Sequence, residues 1–222
     1  MGRRDGAMLF KRNSLKAYLA RQLGHPSGWG GRLILRLLNR ENATMNTIAL
    51  KTLDVQTEQH ILEIGFGGGS LIDHLLNTER SLEVTAIDIS DTAVAMARNK
   101  FKAAIATNRL VVHQAKAEAI PAMDHTFDAI VTVNTLYFWS DVLAVLNECQ
   151  RCLKPGGKLV VTYTSKAFLE AQQATQFGFQ AYEFSEVEAF LRAVGFDVIE
   201  TIAGEGRTNG TFFCTSGTTP KV

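Results

Sequence analysis

The sequence predicts an α/β domain in which helices cover both faces of an open, mostly parallel sheet, preceded by a helical extension. Three observations lead to this fold class. Short β-rich runs alternate with longer helical periods from about residue 60 to residue 163. Most of the strand candidates are near-continuous in Ile, Leu and Val, as buried parallel strands require. The last two candidates are separated by a glycine-rich turn, so they form a hairpin and give the sheet an antiparallel edge.

Seven strand candidates follow one another along the chain. They are His60–Ile64, Leu82–Asp88, Leu110–His113, Phe127–Val133, Lys158–Tyr163, Asp197–Ala203 and Thr211–Thr215. The first five occur in a βαβαβ rhythm, so the helices between them pack on the sheet. The sequence therefore predicts three layers, helix, sheet and helix.

Capping residues predict where several helices begin and end. Ser90 and Asp141 each precede a helical pattern and can accept a hydrogen bond from its first turn. Ser185 and Glu188 have the spacing of a capping box for a later helix, and Gly195 is placed to end that helix.

Length and charge divide the chain into two parts. A chain of 222 residues with 46% hydrophobic content can bury one sizeable core. Residues 1–40 carry nine Lys or Arg and one acidic residue. We therefore expect a basic helical extension or lid over residues 1–45 and one domain over residues 46–222. The extension could also be an arm for nucleic acid or another anionic substrate, or an organellar presequence.

The sequence offers neither a targeting hydrophobic segment nor a metal site. No apolar run approaches the length that spans a bilayer, and the first residues lack the apolar stretch of a secretory signal, so we expect a cytoplasmic protein. Cys149 and Cys152 could be a redox or zinc pair. Because they lie in the apolar stripe of a helix and no second Cys/His pair accompanies them, we expect buried thiols and no metal.

A glycine-rich turn follows the first strand, in the segment Glu63-Ile64-Gly65-Phe66-Gly67-Gly68-Gly69-Ser70. Gly65 permits the tight turn, Gly67 lets a ligand lie against bare backbone, and Gly69 lets the next helix approach the strand closely. Open α/β sheets bind ligands at this edge, where the strand order reverses. The turn therefore predicts a ligand site, although a glycine-rich turn without a ligand is the alternative.

An acidic residue at the end of the second strand narrows the choice of ligand. Asp88 can accept hydrogen bonds from both hydroxyls of an adenosine ribose, or it can only cap the helix that Ser90 begins. A pyrophosphate is anionic and disfavours a nearby carboxylate, whereas S-adenosylmethionine carries a sulfonium and an ammonium. Glu63 therefore favours S-adenosylmethionine as the cofactor, and an NAD-dependent dehydrogenase becomes the alternative.

The ordered motifs of this chain resemble those of the class I S-adenosylmethionine-dependent methyltransferases, in the small-molecule, ubiquinone-type group. The segment 61–69 resembles their motif I, and the segment 86–90 resembles their ribose-binding strand. The segments 117–121 and 153–157 resemble the adenine-side loop and the turn before the fifth strand. The resemblance implies a seven-stranded sheet and an enzyme that transfers a methyl group.

The resemblance also implies which residues contact the cofactor. The implied set is Glu63, Gly65, Phe66, Gly67 and Gly69 around the methionine part, Asp88 at the ribose, Ile89, Ala117 and Glu118 at the adenine, and Asn134 after the fourth strand. One position departs from the pattern, because Lys116 stands where many relatives have an acid, and a lysine cannot accept a hydrogen bond from the adenine amino group.

Aromatic residues indicate the nature of the methyl acceptor. The segment Asn134–Trp139 follows the fourth strand and should line the acceptor pocket, with Tyr137 as a candidate contact or weak base. A second cluster follows the fifth strand, at Phe177, Phe179, Tyr182 and Phe184. Either cluster can also be ordinary packing. We expect a small, apolar or aromatic acceptor.

Two other functional classes are compatible with the same motifs. The basic residues 1–40 could recruit RNA or a protein for methylation, although we expect no nucleic-acid partner. The domain could also bind S-adenosylmethionine without turnover. The acceptor atom and the oligomeric state are not specified by any of these features.

Overall fold

The computed structural model describes residues 28, 30–31, 42–78, 81–206 and 210–221. The predictions for most of the basic segment, including its roles as a lid, an arm or a presequence, lie outside the described residues. The predicted division between residues 45 and 46 falls inside a described helix, and it stays a prediction.

Seven strands form one sheet in the order β3-β2-β1-β4-β5-β7-β6. Their bounds are β1 His60–Ile64, β2 Glu83–Asp88, β3 Leu110–Gln114, β4 Phe127–Val133, β5 Leu153–Thr164, β6 Asp197–Glu205 and β7 Thr211–Thr218. The first five strands pair in parallel, while β7 pairs antiparallel to both β5 and β6. The predicted fold class and the terminal hairpin are confirmed. The strand order reverses between β1 and β4.

Strand β5 begins earlier than the sequence suggested. Leu153 already pairs with Phe127, and Lys158 pairs with Ala129, so four residues of β5 bulge opposite one residue of β4. Gly156 lies in this bulge with φ +76°. The segment interpreted as a turn before the fifth strand is therefore an irregular part of that strand.

Seven α-helices are described. Their bounds are α1 Ala43–Leu53, α2 Ser70–Thr78, α3 Asp91–Lys100, α4 Lys102–Ala106, α5 Val142–Cys152, α6 Lys166–Ala171 and α7 Phe184–Ala193. The Ser90 side chain accepts the Ala93 N–H at the start of α3, and the Asp141 side chain accepts the Ala144 N–H at the start of α5. Both predicted N-caps are confirmed.

The predicted capping box of α7 is wrong by two residues. The helix begins at Phe184, so Ser185 and Glu188 lie inside it. Glu183 is the N-cap residue, and the Glu186 carboxylate accepts its N–H at 2.8 Å. Glutamate side chains at these positions supply the acceptors that the prediction assigned to a serine. Gly195, with φ +89°, follows the end of the helix as predicted.

Two apolar cores lie on opposite faces of the sheet. Ile61 belongs to the core shared with α1, α2 and α3, whereas its neighbour Leu62 belongs to the core shared with α5, α6 and α7. Successive side chains of a strand point to opposite faces, so a strand buried on both faces must be apolar at every position. This arrangement confirms the three predicted layers.

Helix α1 packs against β4, β5 and β7. Met45 and Ala49 are fully buried in this contact, which places the first turn of the helix beside the carboxyl end of β4. Among the described residues, no helix combines the length and the apolar character that crossing a membrane requires.

Candidate functional site

A cavity of about 510 Å³ opens at the carboxyl edge of the sheet, between the ends of β1 and β4. Its wall comes from the loops after β1, β2, β3 and β4, the end of β5, and helices α1 and α6. This is the point at which the strand order reverses, and open α/β sheets form their ligand crevices there.

Most of the residues that the sequence assigned to a cofactor lie around this one cavity. Those lining it are Glu63, Gly65, Phe66, Gly67, Asp88, Ile89, Ala117, Glu118 and Asn134. Gly69 is the exception. A Cβ added at Gly69 would lie 2.8 Å from a ring carbon of Phe101, so this glycine makes room for an aromatic ring that follows α3. The prediction that Gly69 serves helix–strand approach is therefore corrected.

Gly65 has two reasons to be a glycine. Its φ of +71° is the left-handed conformation that the tight turn needs. In addition, a Cβ at this position would lie 2.3 Å from Cγ2 of Thr135. The loop after β1 therefore approaches the loop after β4 more closely than any side chain allows.

The buried Asp88 carboxylate joins two loops of the cavity. Its Oδ2 accepts the Gly67 N–H at 2.9 Å, and its Oδ1 accepts the Ser90 N–H at 2.8 Å. The sequence left open whether Asp88 caps a helix or faces a ligand. In the structure it binds the start of α3 and also lines the cavity, and a carboxylate has about four acceptor positions for these tasks.

Glu63 is buried with an unsatisfied carboxyl oxygen. The residue is only 4% exposed, and its Oε2 has no hydrogen-bond partner among the described atoms. Burial, together with the nearby charge of Asp88, raises the pKa of Glu63 from 4.5 to about 8, while the Ile72 N–H and Lys100 act in the opposite direction. A cationic ligand group in the cavity would give this oxygen a partner.

Two contacts hold the rim around the predicted adenine-side residues. The Glu118 carboxylate accepts a hydrogen bond of 2.7 Å from the Ser140 hydroxyl, which links the loops after β3 and β4. Below it, the Arg151 guanidinium donates to the carbonyls of Ile120 and Ala122. Lys116 is exposed at the same rim.

Asn134 and Tyr137 form a polar chain inside the protein. Asn134, with φ +59°, donates from Nδ2 to Asn42 Oδ1 at 2.8 Å and to Met45 Sδ at 3.2 Å. Its Oδ1 accepts the Tyr137 hydroxyl at 2.5 Å, and that hydroxyl accepts the Thr164 N–H. The chain fixes α1 to the loop after β4.

The surroundings of Tyr137 disfavour its use as a base. Burial raises the pKa of its hydroxyl above the ordinary value, and both hydrogen bonds of that hydroxyl are made to the protein. Its ring and its hydroxyl therefore hold the wall of the cavity in place.

The second aromatic cluster divides between the cavity and the core. The Phe179 ring lies 5.7 Å from the Tyr137 ring and 4.8 Å from the Phe138 ring, and all three line the cavity. Tyr182 packs instead against Phe190, outside the cavity wall. Phe184 likewise packs against Phe213, and Phe177 is also outside the wall.

Sequence reasoning missed several residues of the wall. The missed residues include Asn42, Asn46, Thr164, Phe168 and Leu169. The two asparagines are four positions apart, so they share one face of a helix that is otherwise mostly apolar. That spacing was the available signal. Among the described residues, no group of three or more His, Cys, Asp or Glu is placed to hold a metal ion.

Comparisons with known proteins agree with this site. A family model described as a methyltransferase domain matches residues 62–161, the stretch from β1 to β5 that builds most of the cavity. An uncharacterized methyltransferase of Bacillus subtilis, YdaC, is 28% identical over 165 residues, which cover 74% of this chain and 86% of YdaC.

Two further proteins extend the comparison. The ubiquinone/menaquinone biosynthesis C-methyltransferase UbiE of a Shewanella species is 36% identical over 109 residues, 48% of this chain and 43% of UbiE. This chain thus matches less than half of UbiE. In structure, a chain of the complex between the Haloferax volcanii Trm112 methyltransferase activator and a methyltransferase superposes with a TM-score of 0.71 at 20% identity, over 82% of this chain and 91% of that one.

The matched domain and these relatives support a class I S-adenosylmethionine-dependent methyltransferase. Its cofactor is S-adenosylmethionine, and the cavity fits that molecule. The orphaned Glu63 oxygen suits an ammonium group, and the bare backbone of the glycine turn leaves room beside it. The methyltransferase therefore has a cavity with an acidic end at Glu63 and an aromatic side at Phe138.

Replacing Gly65 should test the close approach of the two loops. We expect Gly178→Ala, at φ +91° with nothing within 4 Å of the added Cβ, to lower the free energy of unfolding by about 1 kcal/mol for the left-handed backbone. Gly65→Ala should cost about 1–3 kcal/mol more because the new methyl group collides with Thr135. Urea denaturation measures both, and Thr135→Ser, which removes the colliding methyl group, should recover the difference. Equal losses at the two glycines would contradict the collision.

The buried Glu63 should make the ligand-free protein less stable as pH rises. Its pKa of about 8 lies above the ordinary 4.5, so between these values the folded chain holds a proton that the unfolded chain has released. The contribution of this group to stability therefore falls through that window. We expect Glu63→Gln to gain in Tm relative to wild type between about pH 5 and about pH 8.5 in a thermal-shift series. The exposed Glu200→Gln is the matched control, and parallel profiles for wild type and the Glu63 variant would refute the assignment.

Proposed function

We propose that this methyltransferase transfers the methyl group of S-adenosylmethionine to a small, apolar or aromatic acceptor. The observation that carries the proposal is the asymmetry of the cavity at the carboxyl edge of the sheet. One end presents the buried carboxyls of Glu63 and Asp88, and the opposite side presents the rings of Tyr137, Phe138 and Phe179. A charged cofactor and an apolar acceptor can thus lie in one space with their reacting atoms adjacent.

The cofactor half of the proposal assigns each end of the molecule to residues of the wall. Glu63 holds the ammonium, and the turn of Gly65, Phe66 and Gly67 lies against the methionine part. Gly69 follows this turn and leaves room for the Phe101 ring. The Asp88 carboxylate, which lines the cavity, accepts hydrogen bonds from the ribose hydroxyls.

The adenine lies between the loops after β2 and β3 in this proposal. Ile89 is 41% exposed although it is a large apolar residue, and it lines the cavity, so a flat ring can cover it. Ala117 and Glu118 form the other wall of this slot. Because Lys116 cannot accept from the adenine amino group, a backbone carbonyl near Ala117 takes that hydrogen bond.

The chemistry demands positioning more than proton transfer. The bound cofactor supplies a methyl group already activated on a sulfonium. Transfer would form a bond from the acceptor atom to the methyl carbon and break the carbon–sulfur bond, leaving S-adenosylhomocysteine, and the proton of the acceptor would pass to solvent. The protein contributes by holding the acceptor in line and excluding water. Asn134 contributes by holding the cavity wall in place, because its amide is hydrogen-bonded to Asn42, Met45 and Tyr137.

The apolar wall favours a small acceptor over a macromolecule. Phe168, Leu169 and Phe179 bound the cavity beside the end of β5, and a space of about 510 Å³ holds a cofactor and a modest partner. The relative UbiE carries a name from ubiquinone and menaquinone biosynthesis, which is consistent with an apolar ring as acceptor. The role of residues 1–40 in recruiting RNA or protein, and the cytoplasmic location, stay predictions from the sequence.

The cofactor assignment is tested by ligand stabilisation. A ligand that binds the native state raises its melting temperature. We expect S-adenosylmethionine and S-adenosylhomocysteine to raise the Tm of wild type and NAD to have no effect. Asp88→Ala should lose the Tm shift, because the variant removes the acceptor of the Gly67 N–H and of the ribose hydroxyls at once. The exposed Asp197→Ala is the control and should keep the shift. If Asp88→Ala kept the full ligand-induced Tm shift, the assignment of Asp88 to the cofactor site would be wrong.

The acceptor assignment is tested by turnover. We expect release of S-adenosylhomocysteine with members of a panel of phenols and hydroquinones, and not with RNA. Phe179→Ala should raise the KM for the active compound about tenfold and leave the Kd for S-adenosylhomocysteine unchanged, whereas Phe184→Ala, which packs outside the cavity, should change neither. Turnover only with RNA or protein would overturn the small-molecule acceptor. Tight cofactor binding with no turnover on any acceptor would indicate a non-catalytic binding protein.

A further inference from the structure

Asn46 is a buried polar residue without a partner in the wall of the cavity. It is 4% exposed, and among the described residues no hydrogen bond uses its carboxamide. The carboxamide does not belong to the fully buried groups that lack a partner, so its polar atoms are accessible from the cavity, where a ligand can bind them. Sequence reasoning did not select this residue.

The neighbours of Asn46 place its helix beside the ends of β4 and β1, and Glu63 lies at the end of β1. Asn46 lies one helical turn after Asn42, which is bound to Asn134 at the end of β4. Helix α1 also packs against α2, whose first residues Ser70 and Leu71 line the same cavity. The end of β4 pairs with the end of β1, which carries Glu63. The adenine-side loops follow β2 and β3, which lie on the far side of β1 from β4.

The charges of the acidic end match an amino acid in its zwitterionic form. Glu63 offers an unsatisfied carboxyl oxygen to a cation. In an α-amino acid the carboxylate is attached to the same carbon as the ammonium, so its donors must lie a few ångströms from Glu63. The amino terminus of α2 is favourable for an anion but supplies no side-chain amide. Asn46 has a donor group there that no other residue uses.

We propose that the Asn46 carboxamide donates a hydrogen bond to the carboxylate of the cofactor's methionine part. It would thereby select cofactors that carry this carboxylate. The proposal rests on the proposed cofactor site, but it concerns one functional group of the ligand. Glu63 then binds the ammonium group of the methionine part, and Asn46 binds its carboxylate.

Binding of two ligands that differ in this one group tests the proposal. S-adenosylmethionine and its decarboxylated form share the adenosine, the sulfonium and the amine, and only the first has the carboxylate. Isothermal titration of the full chain should show that Asn46→Leu weakens S-adenosylmethionine binding about tenfold, as loss of a hydrogen bond to a charged group predicts. Affinity for the decarboxylated form should change less than about twofold.

The nearly isosteric variant Asn46→Asp should change the two affinities in opposite directions, which a folding defect would not do. Asn46→Asp places an anion beside the ligand carboxylate, so it should weaken S-adenosylmethionine binding further than Asn46→Leu does. The same variant should bind the decarboxylated cation as well as wild type or better. The ratio of the two affinities should therefore reverse. The exposed Asn147→Asp on α5 is the control and should leave the ratio unchanged.

The other outcomes contradict the proposal in distinct ways. Unchanged affinity for both ligands in both variants would place Asn46 on the acceptor side and overturn the assignment. An equal loss for both ligands would show that Asn46 has only a structural role. Because the readout is binding and not turnover, failure of the proposed acceptor class would leave these results unaffected. Asp88→Ala should weaken both ligands equally, which tests the cofactor site separately.

Discussion

The hydrogen bonds of the Asp88 carboxylate connect the two loops on which the cavity depends. One oxygen holds the Gly67 N–H in the turn after β1, and the other holds the Ser90 N–H at the start of α3. The turn has an unfavourable backbone for any residue except glycine at Gly65, so it needs an external partner to stay in one conformation. A buried carboxylate is a strong acceptor for this purpose because it is charged. The turn, the helix start and the floor of the cavity are thus fixed by one side chain.

A second acidic residue beside this carboxylate makes the ligand-free site unfavourable. Glu63 is buried near Asp88, and its second oxygen has no partner among the described atoms. A hydrophobic side chain at this position would pack in the core at lower cost. The arrangement is understandable if the bound state supplies a cation, since sites selected for binding often reduce the stability of the free protein. The unsatisfied Glu63 oxygen then makes the site selective for a cationic group.

The opposite wall is held by a polar chain rather than by packing alone. The Thr164 N–H, the Tyr137 hydroxyl, Asn134 and Asn42 connect the end of β5 to the first turn of α1. In this series of hydrogen bonds the polar groups of Tyr137 and Asn134 bind other protein groups, so apolar surface is left toward the cavity. The series also fixes the helix that carries Asn46. The aromatic wall and this helix are therefore held in one arrangement, and in-line transfer requires such fixed positions.

The sequence by itself determined the order and type of the strands, the glycine turn and the position of Asp88, because these depend on local patterns such as continuous apolar runs and positive φ. Most of the residues assigned to the cofactor accordingly line one cavity. The tertiary structure alone decided which distant groups meet there. Gly69 faces the ring of Phe101, the hydroxyl of Tyr137 is bound inside the wall, and Asn46 reaches the cavity from a helix that precedes every recognised motif. Such contacts join residues far apart in the chain, and no local periodicity encodes them.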